Sequence, residues 1–336
     1  MTTIRTRPTM KDVAGHAGVA LKTVSRVVNG EPGVRPQMAE RVRVAITELG
    51  YRRNDSARLL RKGQTSSVGL IMEDIGDPFY AALSRAVEDV ARSYSTLLLT
   101  GSSDEDPARE RELTLEFCAR RVDGLIIIPA SGDHTYLLPE IAAGTAVVFV
   151  DRPPGIIEAD AVLTDNVRGA FDGVSHLLGK GHRRIGFLGD APHIYTASRR
   201  YRGYLEAMTA AGQQIEDCWV ALGRPEQATI AAALQGMLDR PAPVTALMCG
   251  NNRISALALR ELQHLAAAPA LVGFDDFEFA DLLTPGITVV AQNTTALGRI
   301  AAEVLFRRLA GDRGPVQRIE LPTRLIVRGS GERPPP

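Results

Sequence analysis

The chain has 336 residues, of which 45% are hydrophobic, and its formal net charge at pH 7 is zero. This length and hydrophobic content predict two or three domains with a sizeable buried core. The three cysteines are odd in number and none is spaced like a metal or redox pair, which argues against a disulfide scaffold. Because the sequence shows neither a signal-peptide pattern nor an apolar run long enough to span a bilayer, we expect a cytoplasmic protein that does not enter a membrane.

The charge is unevenly distributed along the chain. Residues 1–65 contain 13 Lys and Arg against 5 Asp and Glu, a net charge of +8, which leaves −8 for the rest. A basic head on an acidic body predicts an anionic partner for the head alone.

The first predicted elements are two short helices around a tight turn at positions 9–29, TMKDVAGHAGVALKTVSRVVN. Gly18 permits the turn and Val19 fills it. The apolar stripes at helical spacing are Met10, Val13, Ala14 and Ala17, then Val24, Val27 and Val28. The outer face of the second helix carries Leu21, Lys22, Ser25 and Arg26. Such a helix suits entry into a DNA major groove, although a helical hairpin with a solvated basic face would give the same pattern.

A third helix is predicted from Gln37 to Leu49, with Pro36 at its first position and Gly50 as its C-terminal cap. Its buried stripe is predicted to contain Met38 or Ala39, then Val42, Ala45, Ile46 and Leu49. Residues 1–50 therefore form a small headpiece. The segment 51–65 is too polar for a core element and is predicted to be a linker, helical when held by a partner.

From Ser67 onwards the pattern alternates between strands and helices. The predicted strands are 68–72, 96–100, 124–129, 146–151, 161–165, 184–189, 244–250, 270–276 and 287–293. The predicted helices are 79–93, 107–120, 134–143, 167–179, 197–211, 226–239, 253–265 and one ending at 309. This alternation predicts doubly wound parallel sheets in two α/β lobes, with ligands bound at the carboxyl ends of the strands.

The order and spacing of many short motifs resemble those of one family. They are TMKDVAGHAGV, KTVSRVVNG, AERV…ITELGYRRN, ARLLR, VGLI…DPFY, RRVDGLIII, DR at 151–152, KGHRRIGFLG, RRYRGY, CGNN, VGFDD and AQNTTALG. Over nearly its whole length the chain resembles the lactose-repressor/galactose-repressor (LacI/GalR) family of transcription factors. The resemblance implies a helix-turn-helix headpiece, a hinge helix and a periplasmic-binding-protein-like (type I) effector domain.

The resemblance also implies the domain boundaries. The headpiece is 1–50, the hinge is 51–65 and the effector-binding and dimerisation domain is 66–330. Within that domain the N-lobe is expected at about 66–163 and 293–322, and the C-lobe at about 164–292 and 323–330. Residues 331–336 are expected to be a disordered tail.

Residue by residue, the resemblance places base-reading side chains at Leu21, Lys22 and Arg26. The guanidinium of Arg26 could pair with guanine O6 and N7, and Leu21 could contact a thymine methyl group or only cover the turn. Phosphate contacts are assigned to Thr9, Thr23, Ser25 and Asn29, for which helix capping is the alternative. The family usually has a serine cap where this chain has Ala20, a loss that typically costs about 1 kcal/mol.

In the hinge, Ala57 and Leu60 match the family. Leu60 corresponds to a leucine that wedges into a central minor-groove step. Leu59 is its local competitor for that role, and packing of hinge against hinge is the alternative for Leu60.

The effector residues implied by the resemblance are scattered along the sequence but fall at strand ends and helix starts. They are Phe79, Tyr80, Asp151, Arg152, Arg200, Asn251, Asp275 and Gln292. Acidic, amide and guanidinium groups beside an aromatic face suit a sugar, since each buried hydroxyl needs a partner. A purine or nucleoside stacked on Phe79 is the alternative, as is a sugar phosphate that meets Arg224, where many members have an aromatic ring. Asn252 also departs from the family by replacing an acidic residue.

Three functional classes remain to be weighed. The favoured one is a repressor that binds a pseudo-palindromic operator as a homodimer and responds to a small effector, because one headpiece reads half a palindrome. A sugar-binding protein without gene control is disfavoured by the basic headpiece. An enzyme is disfavoured because we find no phosphate-binding loop, nucleophile elbow or His/Cys cluster, so no catalytic residue, metal or cofactor is predicted. His16 and His182 are interpreted as structural or solvated.

Overall fold

A computed structural model describes residues 8–52, 65–265 and 267–336. The chain divides into two compact units, residues 1–65 and residues 66–336. In the described ranges no helix combines the length and the apolar character that crossing a membrane requires.

Within residues 8–52, the first unit contains three helices around one small core. They are α1 (Met10–Ala17), α2 (Leu21–Val28) and α3 (Pro36–Leu49). The buried side chains of this core are Val13, Ala17, Val24, Val42, Ala45 and Tyr51. Met10 is 36% exposed and Met38 is 38% exposed, so Met10 was wrongly placed in the buried stripe and Ala39 is the more buried alternative in α3.

The ends of these helices explain the helix-turn-helix geometry. Thr9 caps α1 in a reciprocal pair with Asp12, and Gly18 ends it in the left-handed conformation at φ 61°. Ala20 begins α2 with no side-chain cap, which is the departure that the sequence indicated. Gly50 ends α3 at φ 63°, as predicted.

The second unit contains two six-stranded sheets, one in each lobe. The strands are β1 (Ser67–Met72), β2 (Leu97–Ser102), β3 (Gly124–Ile127), β4 (Ala146–Val150), β5 (Asp160–Thr164), β6 (Ile185–Gly189), β7 (Val220–Leu222), β8 (Ala246–Cys249), β9 (Ala270–Phe274), β10 (Thr288–Ala291), β11 (Arg318–Leu321) and β12 (Arg324–Ile326). Their orders are β11-β5-β4-β3-β1-β2 and β12-β10-β9-β8-β6-β7. The prediction of a two-lobed α/β body is confirmed.

The helices of the second unit lie between these strands in sequence. They are α4 (Pro78–Ser93), α5 (Pro107–Ala119), α6 (Leu138–Ala142), α7 (Asn166–Gly179), α8 (Tyr195–Ala210), α9 (Gln227–Leu238), α10 (Asn252–Leu262) and α11 (Thr294–Leu309). Pro78 and Pro107 occupy the first helical position behind the caps Asp77 and Asp106, which accept hydrogen bonds from backbone N–H groups. These caps explain why α4 and α5 begin within one residue of their predicted starts.

Three features of the second unit differ from the sequence prediction. The helix expected at 134–143 is a 3-10 turn, Thr135–Leu137, followed by the five-residue α6. The short edge strand β7 was missed. The last strand, β12, pairs antiparallel with β10, so this sheet is mixed rather than purely parallel.

The chain after β12 is held against the C-lobe. Ser330–Glu332 forms a 3-10 turn, and Glu332 accepts a hydrogen bond of 3.0 Å from the hydroxyl of Thr288. The Arg333 guanidinium donates to the carbonyl of Ala268 at 3.1 Å, and its own carbonyl accepts from the His182 ring at 2.8 Å. Disorder was expected from 331, and these bonds are the physical reason that 331–333 depart from it.

A close contact between two helices shapes the C-lobe. A Cβ atom at Gly203 in α8 would lie 2.2 Å from the carbonyl oxygen of Val167 in α7. The missing side chain lets the two helices approach, which brings Arg200, one turn earlier in α8, beside Asn166 at the start of α7. The close packing of α7 against α8 thus fixes the position of the Arg200 side chain.

Candidate functional site

The outer face of α2 is the candidate DNA-reading surface. Leu21 is 45% exposed, Lys22 is exposed, and Arg26 is half-buried. Within residues 8–52, neither Lys22 nor Arg26 has a salt-bridge partner. Both cations are therefore available to an anionic ligand.

The four predicted phosphate-contacting residues differ in exposure and in how far their side chains are already hydrogen-bonded. Thr9 is engaged in the α1 cap, with its hydroxyl 2.7 Å from the Asp12 carboxylate. Asn29 donates to Ser25 Oγ and to Glu31, both at 3.3 Å, whereas Thr23 is half-buried on the same helix. The predicted hinge residues Ala57 and Leu60 lie outside the described residues.

The candidate effector site is a cleft at the carboxyl ends of the strands of both lobes. Its cavity volume is about 50 Å³. All eight predicted effector residues line it: Phe79, Tyr80, Asp151, Arg152, Arg200, Asn251, Asp275 and Gln292. Its further lining consists of Glu73, Asp77, Asp190, Ile194, Thr196, Ala197, Gly250, Asn252 and Arg253.

Arg200 organises the C-lobe side of the cleft. Its guanidinium donates to Asn166 Oδ1 at 2.7 Å, to the Gly250 carbonyl at 2.7 Å and to Asp275 Oδ2 at 3.0 Å. The group also lies 3.9 Å above the centre of the Phe274 ring, a cation–π contact. Gln292 donates to the other carboxylate oxygen of Asp275 at 2.6 Å. Both oxygens of this buried carboxylate are therefore occupied.

Arg152 organises the N-lobe side. Its guanidinium donates to the Pro129 carbonyl at 2.8 Å and to Glu73 Oε2 at 3.4 Å, and it contacts the Glu105 carboxylate. Asp151 lies beside it, with 3.6 Å between Asp151 Oδ2 and Arg152 Nε. Arg152 is thus a buried cation surrounded by three carboxylates.

Phe79 and Tyr80 supply an aromatic wall at the start of α4. Their rings meet edge to face with centroids 5.1 Å apart. Tyr80 is buried and donates to Glu73 Oε2 at 2.9 Å, whereas Phe79 is half-buried. Phe79 is the ring with more surface to offer a ligand.

Two polar bridges cross the cleft. Asn252 in α10 donates to Asp77 Oδ1 at 3.1 Å, and Arg253 donates to Glu73 Oε1 at 3.1 Å. Because the family often has an acid at position 252, the amide matters here: a second carboxylate would repel Asp77, whereas Asn252 can donate to it. Glu73 joins the Arg253 bridge to Arg152 and Tyr80.

Burial controls the ionisation of the cleft carboxylates. Burial raises the pKa of Asp151 to about 6, although Arg152 and Arg200 oppose the shift. Burial likewise raises the pKa of Asp275, of Asp190 and of Glu73, the last with a further contribution from Glu105. Each of these four carboxylates is therefore costly to keep ionised, and ligand donors would relieve that cost.

Three residues discussed from the sequence are not among the lining residues of the cleft. Arg224 is exposed and is absent from the lining of the cleft, so the structure does not bring it to the other effector residues. His182 is buried between the Thr245 hydroxyl and the Arg333 carbonyl, and burial lowers its pKa. His16 contacts Glu48 at 2.6 Å and joins α1 to α3.

Sequence reasoning missed half of the polar lining. Glu73 follows β1 and Asp190 follows β6, so the expectation that ligands bind at the carboxyl ends of strands could have found them. Asn252 was noticed only as a departure, and Arg253 carried no local signal, because its partner lies in the other lobe.

Comparison with known proteins agrees with this architecture. Residues 9–54 match the family described as bacterial regulatory proteins, lacI family, and residues 174–331 match the periplasmic binding protein-like domain. The chain is 34% identical to the HTH-type transcriptional regulator CelR of Thermobifida fusca, over 97% of this chain and 99% of that protein. The chain belongs to the LacI family. It is a transcriptional regulator rather than an enzyme, as its relatives are.

Two solved structures extend the comparison. The structure of a complex of the regulator CelR with cellobiose is similar to this chain, with 30% sequence identity and a TM-score of 0.70. The match covers 96% of this chain and 100% of the chain in that structure. The Lac repressor dimer bound to operator and the anti-inducer ONPF has a TM-score of 0.84 at 23% identity, covering 97% and 99%. The second likeness shows the fold, and the LacI-family resemblance inferred from the sequence is confirmed.

Proposed function

We propose that this LacI-family regulator is a repressor that binds a pseudo-palindromic operator as a homodimer and releases or retains it according to a sugar bound between the lobes. The observation that carries the proposal is the convergence of eight residues, chosen from the sequence, on one polar cleft. Effector binding would act by favouring one of two lobe arrangements, which requires a difference in affinity between them of about 1–3 kcal/mol.

The DNA part of the proposal assigns base contacts to Leu21, Lys22 and Arg26. It is supported by the exposure of Leu21 and Lys22, by the absence of a salt-bridge partner for Arg26 within 8–52 and by the net charge of +8 on residues 1–65. Thr9, Thr23, Ser25 and Asn29 are assigned to the phosphates, and Ala57 and Leu60 to the minor groove at the operator centre.

The effector part favours a sugar over a sugar phosphate. Five carboxylates and three guanidinium groups line the cleft, and no free arginine comparable to a phosphate clamp is among the described lining residues. A dianion would meet net repulsion there, whereas hydroxyl groups can donate to the carboxylates. Cellobiose in the CelR complex is a fact about that relative and supports a sugar here.

The dimer part rests on apolar side chains that the second unit leaves in solvent. Ile75 is 53% exposed and Leu97 is 63% exposed, and both line the same open groove between α4 and β2. Phe279 and Leu282, exposed by 60% and 72%, form a second site in the loop before β10. Exposed apolar surface of this kind is typical of subunit contacts.

A gel shift with promoter fragments from the regulator's own locus tests the DNA part. We expect a retarded band that a matched random fragment does not give, and equal retardation of both would refute sequence-specific binding. A thermal-shift screen with neutral sugars, sugar phosphates, nucleosides and purines tests the effector part. A compound at about 100 times its Kd stabilises the protein by roughly 2.7 kcal/mol, so hits confined to purines or phosphates would refute a sugar effector.

A further inference from the structure

The lining of the cleft contains more acidic than basic side chains, whereas a neutral ligand needs no excess of either. Its lining contains five carboxylic acids, Glu73, Asp77, Asp151, Asp190 and Asp275, against three arginines. The arginines are already engaged with protein acceptors, since Arg200 binds Asp275, and Arg152 and Arg253 bind Glu73. The excess charge is therefore negative and lies on groups that can accept hydrogen bonds.

Within this cluster, one carboxylate differs from the others. Asp190 accepts from the Ala191 N–H at 2.7 Å and from Asn251 at 3.1 Å, and Asp275 is held by Arg200 and Gln292. Asp151, by contrast, is 3% exposed, and its Oδ1 atom is buried without a hydrogen-bond partner. An uncommitted buried carboxylate oxygen is expensive, so its position in the lining indicates that a ligand supplies the donor.

A second orphaned acceptor lies in the same lining. Gln292 uses its amide nitrogen for Asp275, and its Oε1 atom is buried with no partner. Both of these orphans are acceptors and call for donors. The third unpartnered buried atom of the lining, Arg152 Nε, is a donor that a ligand hydroxyl can satisfy. An ammonium group offers three donors, accepts nothing and neutralises negative charge, whereas a hydroxyl offers one donor and no charge.

We propose that the effector carries a protonated amine, as amino sugars do, and that Asp151 is the carboxylate that binds it. Gln292 Oε1 is the second unpartnered acceptor of the same lining. The proposal rests on the proposed sugar-binding function, which it narrows to a cationic class. The raised pKa of Asp151 agrees with it, because a cation beside the carboxylate would reverse the cost of ionisation.

The test compares amines with their own neutral counterparts. Isothermal titration of the full-length protein at about pH 7 uses D-glucosamine, D-galactosamine and D-mannosamine, each beside its parent hexose and its N-acetyl derivative. Charge-assisted hydrogen bonds are roughly twice as strong as neutral ones, so we expect one amine to bind about tenfold more tightly than both counterparts. If every amine binds no better than its hexose, or if no compound in the panel binds, the amine is refuted.

Two variants separate a specific contact from general charge. Asp151→Asn suits the site because Asp151 has φ 67°, a conformation that asparagine also tolerates, and it should abolish the preference for the amine over the hexose. Asp190→Asn removes an equal charge from a carboxylate whose oxygens are occupied, and it should keep most of the preference. Equal losses in the two variants would overturn the role of Asp151. Should Asp151→Asn fail to fold, the wild-type comparison of amine and hexose still decides the proposal.

The same preparation distinguishes this proposal from the function on which it rests. Tighter binding of a neutral hexose than of its amine would refute the cationic effector and leave a sugar-controlled regulator standing. Failure of the operator gel shift would count against the regulator's DNA assignments without altering the titration result.

Discussion

Arg200→Met is the substitution that most directly tests how the C-lobe side of the cleft is built. Methionine keeps an unbranched side chain of similar length but removes the guanidinium. The change deletes three hydrogen bonds, to Asn166, Gly250 and Asp275, and the contact with the Phe274 ring. It leaves the Asp275 carboxylate, 7% exposed, without its cation.

The size of the effect follows from that orphaned charge. Removing one partner of a buried ion pair typically costs about 3–5 kcal/mol, because the other charge stays buried and unpaired. We expect a loss in this range from the unfolding free energy of the C-lobe at neutral pH. Replacing Asp275 by Asn in the same chain removes the orphaned charge and should recover about 2 kcal/mol as a coupling between the two positions.

The assay exploits the single tryptophan of the chain. Trp219 is 5% exposed in the C-lobe core, so its fluorescence during urea unfolding reports this lobe. The series comprises the wild type, Arg200→Met, Asp275→Asn and the double variant. If Arg200→Met costs less than about 1 kcal/mol, or if the double variant is no more stable than additivity predicts, the buried pair does not organise the cleft as we argue.

The pH dependence of the same series gives an independent check. Burial raises the pKa of Asp275 and Arg200 opposes the shift, so removing Arg200 raises this pKa further. A carboxyl with a raised pKa binds more protons folded than unfolded, and stability therefore falls as pH rises through the window between its ordinary value, about 3.9, and its folded value. The loss of unfolding free energy caused by Arg200→Met should be smallest at the acidic end of this pH window and should grow towards neutral pH. A loss that does not change with pH would contradict the assignment.

Two further substitutions test the headpiece and the N-lobe. Arg26→Ala should weaken operator binding by about 1–3 kcal/mol and relax the sequence preference at one base position in a gel-shift selection. Arg43→Ala on α3 is the control, because Arg43 pairs with Glu40, and it should change operator affinity little. Equal effects of the two substitutions would reject Arg26 as a base-reading residue. Gly155→Ala should lower the stability of the N-lobe by about 2–4 kcal/mol in thermal unfolding, since Gly155 has φ 75° and a Cβ would lie 1.9 Å from a backbone oxygen. Gly223→Ala, with open space around it, is the control, and matching losses would refute the steric argument.

Much of the fold could be predicted because its signals are local. Fully apolar strand runs such as 68–72, proline at first helical positions and glycine caps at Gly18 and Gly50 each constrain a few neighbouring residues. These local signals do not require knowledge of the other lobe. The effector residues Asp151 and Asp275 were implied instead by the resemblance to the LacI/GalR family, and both follow strands, where ligands are expected to bind.

The features that the sequence analysis missed or predicted wrongly depend on contacts between residues far apart in the sequence. The edge strand β7 has three half-buried residues and takes its conformation from pairing with β6. The segment after 330 looks disordered by composition, yet Glu332 and Arg333 find partners in the C-lobe. The bridges Asn252–Asp77 and Arg253–Glu73 join residues more than 170 positions apart, so no local pattern could reveal them.

The two lobes place an aspartate at corresponding strand ends but leave its oxygens differently hydrogen-bonded, which is where specificity can arise. Asp151 follows β4 and Asp275 follows β9, and both adopt φ 67°, so the two lobes present an aspartate in the same backbone conformation at a strand end. Asp275 has its two oxygens filled by the protein, whereas Asp151 keeps one oxygen uncommitted. A ligand therefore gains most from donors aimed at the N-lobe aspartate.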